Sequence, residues 1–416
     1  MLGITRQPFK EMATPSTSSI RSPDLRILYI HEVNYLTKPI FEMHEFPEQL
    51  AARGHEVAFL HFAEGFKQAE VLHLGFERSL FGRAFPDSTL ALYTPQVTGV
   101  GLAGRLISAV LGGHSIVKAI RAFRPDTIVT LAVPTFGWQA VLIARHMKIP
   151  VVYRALDVSH RIRRGPWSPL VRVAERFVIS KVDWVSANNP IMAKYCESMG
   201  ANADRVVTHF PPIQVESFHE GSREKGLDRL GINDGEQLIM YMGSFFYFSG
   251  LADVVEEFAR LNPKGTVKLV LVGGGELDSS LRNSVKDLGL VSRVLFTGFV
   301  DADDLPGLLK AADVLINPML KSTVSDTALP NKMIQYLASG PPVVSTSLEG
   351  LRDTFSRFEG IYWAESPKET IATALALLGK AELPKNSKNH EKLNLYFGPA
   401  SLDSFEEFLE SVVGSK

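Results

Sequence analysis

Short apolar runs alternate with stretches of helical spacing along this chain, and the alternation occurs twice. In the first half the runs are residues 25–30 (LRILYI), 56–62 (EVAFLHF), 127–131, 150–153 (PVVY) and 184–186. Helical apolar spacing separates them at 41–53, 107–123, 136–147 and 172–178. Short, nearly continuous apolar runs suit strands buried on both faces, and a helix between each pair supplies the crossover that parallel strands need. Periodicity lapses at 208–218 (THFPPIQVESF), where Pro211 and Pro212 adjoin, and a mostly polar stretch runs on to Gly235. The alternation restarts at 238–242 (LIMYM). It continues with strands at 267–272, 294–296, 314–317 and 342–346 and helices at 251–261, 277–288, 305–311, 331–338 and 368–378. The fold class this predicts is α/β, with two Rossmann-like doubly wound domains facing a cleft and a hinge near 209–235.

The chain has 416 residues, enough for two separate cores. The bounds drawn are a disordered tail at 1–24, an N-terminal domain at 25–212, a C-terminal domain at 213–395, and an amphipathic helix within 396–416 placed to pack back on the N-terminal domain. The tail is rich in Ser, Thr and Pro, and its excess of Arg6, Lys10 and Arg21 over acids also allows a transit peptide. Net charge is −1, so no global field draws the chain to nucleic acid. The single cysteine, Cys196, excludes an intramolecular disulfide and a multi-thiolate metal site, and fits a reducing, cytoplasmic setting. No apolar run approaches the ~20 residues of a membrane span.

Three loops carry the chemistry expected of the C-terminal half. Residues 330–344 (PNKMIQYLASGPPVV) read as helix start, helix, tight turn and buried strand. Pro330 suits a first helical turn, Gly340 a left-handed end, and Pro341-Pro342 forbid continuation. A helix N-terminus at a cleft binds anions, and Lys332 in the first turn adds a full charge; a capped helix with a solvated lysine fits the same run. Gly243 and Gly250 bracket a loop after strand LIMYM. Gly273-Gly274-Gly275 follows strand VKLVLV, either as a tight turn or as a cradle of exposed N–H groups.

Residues 240–346 resemble the C-terminal domain of the family-four retaining glycosyltransferases. The matching pieces are 241–243, 271–275, 294–300 (VLFTGFV), 311–318 (AADVLINP) and 330–344, in order. The N-terminal half is similar more loosely, through 50–57 (LAARGHEV), 149–153 with Asp157, and 182–187 (VDWVSA). The resemblance implies a GT-B fold and transfer of a sugar from a nucleotide-sugar to a carbohydrate, lipid-linked or small-molecule acceptor. It further implies retention of configuration, no cofactor and no metal, and roles in processes such as polysaccharide synthesis. By resemblance the donor site comprises Gly243, Ser244, Gly274, Gly275, Phe299, Val300, Asn331, Lys332 and Gln335. Lys332 would hold the diphosphate, the base would lie near Phe299 and Val300, and Gln335 would reach the ribose.

The chain departs from that family's pattern at four places. Ser244 and Ser249 stand where members commonly carry an Arg and a Lys that grip the diphosphate. Thr327 and Gln335 stand where members commonly carry two glutamates. Lys321, backbone N–H groups or the other domain must then share the charge with Lys332. Asp157 is the second catalytic candidate, with a capping or hinge role as the competing reading. His31, Glu32 and His160 are the acceptor-side candidates, His31-Glu32 also fitting a hydrogen-bonded pair at a loop start. Residues 161–167 (RIRRGPW) mix arginines with an aromatic, which suits anionic lipid at the inner membrane face, a solvated loop, or a phosphate loop. Beside the transferase stands a second reading, a GT-B protein of weak or lost activity that binds a sugar or a partner enzyme.

Overall fold

A computed structural model describes residues 25–96, 101–162, 165–233, 235–380 and 389–415; the expected tail at 1–24, and Arg163 and Arg164 of the basic loop, lie outside them. Among the described residues the chain forms two sheets. The first holds eight strands: β1 Arg26–Ile30, β2 Glu56–Leu60, β3 Glu77–Phe81, β4 Thr89–Tyr93, β5 Thr127–Thr130, β6 Val151–Ala155, β7 Trp184–Ala187 and β8 Val206–Thr208. Their order is β3-β4-β2-β1-β5-β6-β7-β8, and only the β3–β4 pair is antiparallel. The second holds six parallel strands: β9 Gln237–Met242, β10 Val267–Val272, β11 Val294–Gly298, β12 Val314–Asn317, β13 Val343–Thr346 and β14 Ile361–Ala364. Their order is β11-β10-β9-β12-β13-β14. Each sheet therefore reverses direction once, between β1 and β5 and between β9 and β12. Ligands of doubly wound sheets bind at the strand C-termini beside such a reversal.

Three features differ from the sequence expectation for identifiable reasons, and other elements, among them β8, β14 and the helix Pro190–Ser198, were not foreseen. The β3–β4 hairpin escapes the apolar pattern because β3 is an edge strand with a mostly exposed ERSLF sequence. The polar stretch before Gly235 is not a bare linker. It forms the helices Val215–His219 and Arg223–Leu230, and the second rests on the helix Leu305–Ala311. There Gly226 and Gly307 meet so closely that a Cβ on Gly226 would lie 2.1 Å from the Gly307 carbonyl oxygen. Arg223 adds a hydrogen bond to Ala311 O and an ion pair to Asp313 at 3.0 Å. Residues Gly104–Phe123, part of the helix Gly101–Phe123, are long and apolar enough to cross a membrane by length and composition, contrary to expectation. In the structure that helix is docked: the Gln139 amide accepts from Gly113 N at 2.5 Å and donates to Ser108 O and Ala109 O at 3.0 and 3.1 Å.

The chain ends by crossing between the halves. Helix His390–Phe397 packs in the C-terminal core through Leu393 and Phe397. Helix Pro399–Gly414 then lies on the N-terminal sheet, burying Leu402, Phe405 and Leu409 against Phe46, Val129 and Val152. Phe405 stacks obliquely on Phe46, centroids 4.4 Å apart.

Candidate functional site

The loops after β9 and β10 are zipped together by their backbones. Gly243 N donates to Val272 O at 2.9 Å, Phe245 N to Gly274 O at 2.9 Å, and Leu277 N to Phe245 O at 3.0 Å. Gly273 has φ 120°, and a Cβ there would lie 2.2 Å from the Gly243 carbonyl oxygen, so only glycine permits the approach. The same zipper leaves the N–H groups of Ser244, Gly274 and Gly275 without an acceptor among the described residues. They sit at the strand ends beside the β9–β12 reversal.

Lys332 comes to this place from the helix Asn331–Ser339. Its ammonium donates to Tyr241 Oη at 3.2 Å and lies 4.3 Å from the centre of the Tyr241 ring. Tyr241 Oη in turn donates to Ser244 O at 2.9 Å. Gly243, at φ 142°, leaves open the space between them; a Cβ there would meet Tyr241 Oη at 3.1 Å and Lys332 Nζ at 3.5 Å. One turn on, Tyr336 Oη accepts from Met242 N at 2.7 Å and donates to Met242 O at 3.2 Å, pinning the helix to the end of β9. Lys332 and Tyr336 share a helix face because they are four residues apart. Lys332 is half-buried, and the desolvation of its ammonium pushes it down to about 7, with no carboxylate against it among the described residues. Lys321, the alternative cation, is paired with Glu365 at 2.5 Å. Ser249, where a second cation was sought, is buried.

Phe299 follows β11 and is 67% exposed, with its ring laid against Gly274. Val300 packs at the edge of the C-terminal core, and Gln335 is half-buried on the same helix as Lys332. Asn331 points elsewhere: its amide donates to Glu45 Oε2 at 3.1 Å, from one half of the molecule to the other. Glu45 lies on the helix Glu42–Ala52, whose Glu42, Glu45 and Glu48 are all buried. Burial first, and then the Glu42 charge, push the Glu45 carboxyl up to about 8. Glu42 pairs with buried Arg154 of β6, which also reaches Ser186 Oγ at 2.8 Å. A second link between the halves runs from Asn189 Nδ2 to Thr327 O at 2.8 Å. Glu45, Asn189, Tyr241 and Tyr336 were not singled out in the sequence. Only Glu45 left a signal there, as one of three acids on a helix that also carries Met43, Phe46 and Leu50.

The N-terminal candidates part company. Asp157 follows β6 and is open to solvent but densely surrounded; that crowding first, and Glu175 second, push its carboxyl up to about 6. Glu32 turns inward, where its Oε1 accepts from Thr135 N at 2.6 Å and Phe136 N at 2.8 Å and so holds the loop after β5. His31 remains half-buried beside it. His160 is buried, with Nδ1 2.7 Å from Glu175 Oε2 and 3.4 Å from Tyr195 Oη. The structure thus gathers Gly243, Ser244, Gly274, Gly275, Phe299 and Lys332 at one sheet edge. It links Asn331 to Glu45 and assigns Glu32 and His160 to internal hydrogen bonds.

Two doubly wound sheets, with an anion-ready reversal point in the second, define the GT-B class. Residues 43–211 match the family described as "Glycosyl transferase 4-like domain", and residues 236–380 match "Glycosyl transferases group 1". The chain belongs to the family-four GT-B glycosyltransferases. It is 26% identical to the alpha-monoglucosyldiacylglycerol synthase of Streptococcus pneumoniae, over 62% of this chain and 60% of that one. The chain spans about half the length of the curated relatives it matches, from 36% to 63% for the first four. The sucrose-phosphate synthase of Thermosynechococcus elongatus superposes with a TM-score of 0.75 at 15% identity, over 94% of this chain and 99% of that one. The Anabaena protein HepE, crystallised with UDP and glucose, superposes with a TM-score of 0.70 at 16% identity, over 93% and 100%. At such identities the likeness carries the fold alone.

Proposed function

We propose that this protein transfers a sugar, with retention of configuration, from a nucleoside diphosphate sugar to an acceptor held at a membrane surface. The observation that carries the donor half is the Lys332 cradle: one ammonium at a helix N-terminus, beside three unclaimed backbone N–H groups. As the anomeric C–O bond breaks, negative charge grows on the leaving diphosphate, and fixed donors aimed there lower the barrier. The diphosphate would also return to Lys332 the charge that burial disfavours. Phe299 offers an exposed ring for the base, and the UDP held by the HepE neighbour is a ligand of this kind. Gln335 is placed for the ribose, since an amide both donates and accepts. Asp157, near half-protonation at pH 6, is the group proposed to meet the acceptor hydroxyl. Lys332 and the amides are proposed to meet the diphosphate charge without a metal ion, so chelators are expected to leave activity unchanged.

The acceptor half rests on exposed side chains of two helices of the N-terminal half. Leu106, Ile107, Val110 and Leu111 project from the helix Gly101–Phe123, Val110 being 76% exposed. Leu170 and Val173 of the helix Ser168–Lys181 and the nearby Trp167 are exposed too, with Arg161, Arg172 and Arg176 around them. Exposed apolar side chains with arginines among them suit an anionic bilayer. The pneumococcal relative's name, a diacylglycerol glycolipid synthase, accords with this. The test is isothermal titration with UDP and other nucleoside diphosphates, together with flotation on anionic vesicles. Tight nucleotide binding that Lys332→Ala weakens, and flotation that Val110→Glu with Leu111→Glu abolishes, are expected. Absence of binding by every nucleotide or nucleotide sugar overturns the donor reading; nucleotide binding without donor turnover on any acceptor favours the silent binding protein instead.

A further inference from the structure

A sizeable cavity lies away from the donor site. It holds about 600 Å³ and opens at the other end of the N-terminal sheet, around the starts of β6 and β7. That volume lies in the range of small-molecule sites, ~300–1,000 Å³. Four cations line it, Arg145, Lys148, Lys181 and Arg205, against one carboxylate, Asp183. Asp183 is already committed, accepting from Val151 N at 2.8 Å. None of the four cations pairs with a carboxylate among the described residues. Arg145 and Lys181 close the last turns of two helices, where a cation offsets the carbonyl ends. That role does not extend to Lys148, which sits on a loop at φ 57°, or to Arg205, whose guanidinium lies 4.7 Å from the centre of the Trp184 ring. The last turns of the crossing helix Pro399–Gly414 form one wall.

We infer that this cavity is a second ligand site, separate from the donor cradle, that takes the phosphate groups of an organic phosphate. Unpaired Lys and Arg side chains converging on a concave site match the charge and the fork geometry of phosphate oxygens. Trp184 and the apolar floor between the cations supply contact for the organic body. Proteins use such chemistry for soluble phosphates and for phospholipid headgroups alike.

The test titrates inorganic pyrophosphate into the full chain, into Lys332→Ala, and into the double variant Lys148→Glu with Lys181→Glu. Lys332→Ala isolates the second site, because the donor cradle also attracts pyrophosphate. The double variant is expected to weaken one binding class about tenfold or more, the least expected when charge-assisted contacts from two lysines are lost. Its UDP affinity should stay at the wild-type value, which also reports an intact fold. Should the double variant fail to fold, Arg205→Gln alone carries the same expectation. Vesicles of phosphatidylcholine with and without phosphatidate identify the source. Vesicle binding lost in the double variant points to a headgroup, and pyrophosphate binding without it to a soluble phosphate. Isotherms for the double variant that match wild type overturn the inference. So does an equal loss on Lys264→Glu with Lys286→Glu, exposed lysines of the other domain, which would reduce the effect to diffuse charge.

Discussion

Lys332 is a base whose burial and whose proposed task pull in opposite directions. Its folded value near 7 lies well below the ordinary 10.5. Between those values the unfolded chain binds a proton that the folded chain lacks, so stability rises with pH across that window. Lys332→Met removes this half-buried charge. The thermal midpoint of the unliganded protein is then expected to rise, most of all below pH 7, while nucleoside diphosphate affinity falls about 10–100-fold, as for a lost charge-assisted contact. A calorimetric scan and a titration on the same variant check both signs. In the wild type that affinity should weaken as pH climbs through 7. Asp157 supplies the other limb. If its carboxylate takes the acceptor proton, kcat/KM rises as pH passes about 6 and falls above about 7, and Asp157→Asn flattens the acid side. Lys332 was singled out in the sequence as a lysine in the first turn after Pro330, a pattern that a capped helix with a solvated lysine fits as well. Tyr241 was not, since an aromatic in LIMYM reads as core.

At the scale of elements, the donor helix is anchored by buried Met333, Ile334 and Leu337 and pinned to β9 by one hydroxyl. Tyr336→Phe leaves Met242 N–H and one lone pair of Met242 O unsatisfied in a buried place, a cost of about 1–3 kcal/mol. Chemical denaturation is expected to show that loss, with nucleotide affinity reduced as the helix loosens. The long parallel strands were legible to within a residue or two, because burial on both faces demands continuous apolar runs. The β3–β4 hairpin and the two helices before Gly235 were not. One strand of the hairpin lies at an edge, and the helix Arg223–Leu230, though capped by Ser222 and Gly231, owes its placement to a glycine–glycine contact with a distant helix.

Across the whole molecule, the C-terminal helix ties the halves together. Phe405 is fully buried between Phe46 and His209. Phe405→Ala is expected to destabilise the N-terminal half by about 3–5 kcal/mol, read as a lowered first transition in calorimetry. Asn331–Glu45 and Asn189–Thr327 join the two halves across long sequence separations, of 286 and 138 residues. A cleft assembled from such pairs leaves no trace in local periodicity.

The sequence by itself determined two parallel α/β layers, the positions of most of their strands, and the helix start that carries Lys332, because period, glycine and proline act over a few residues. Only the tertiary structure decided that Tyr241 and Gly243 frame that lysine, that Asn331 faces Glu45, that Glu32 braces a loop, and that four separate cations converge on a cavity far from the cleft. Those outcomes depend on which distant surfaces meet and exclude water from one another, and no local pattern encodes that.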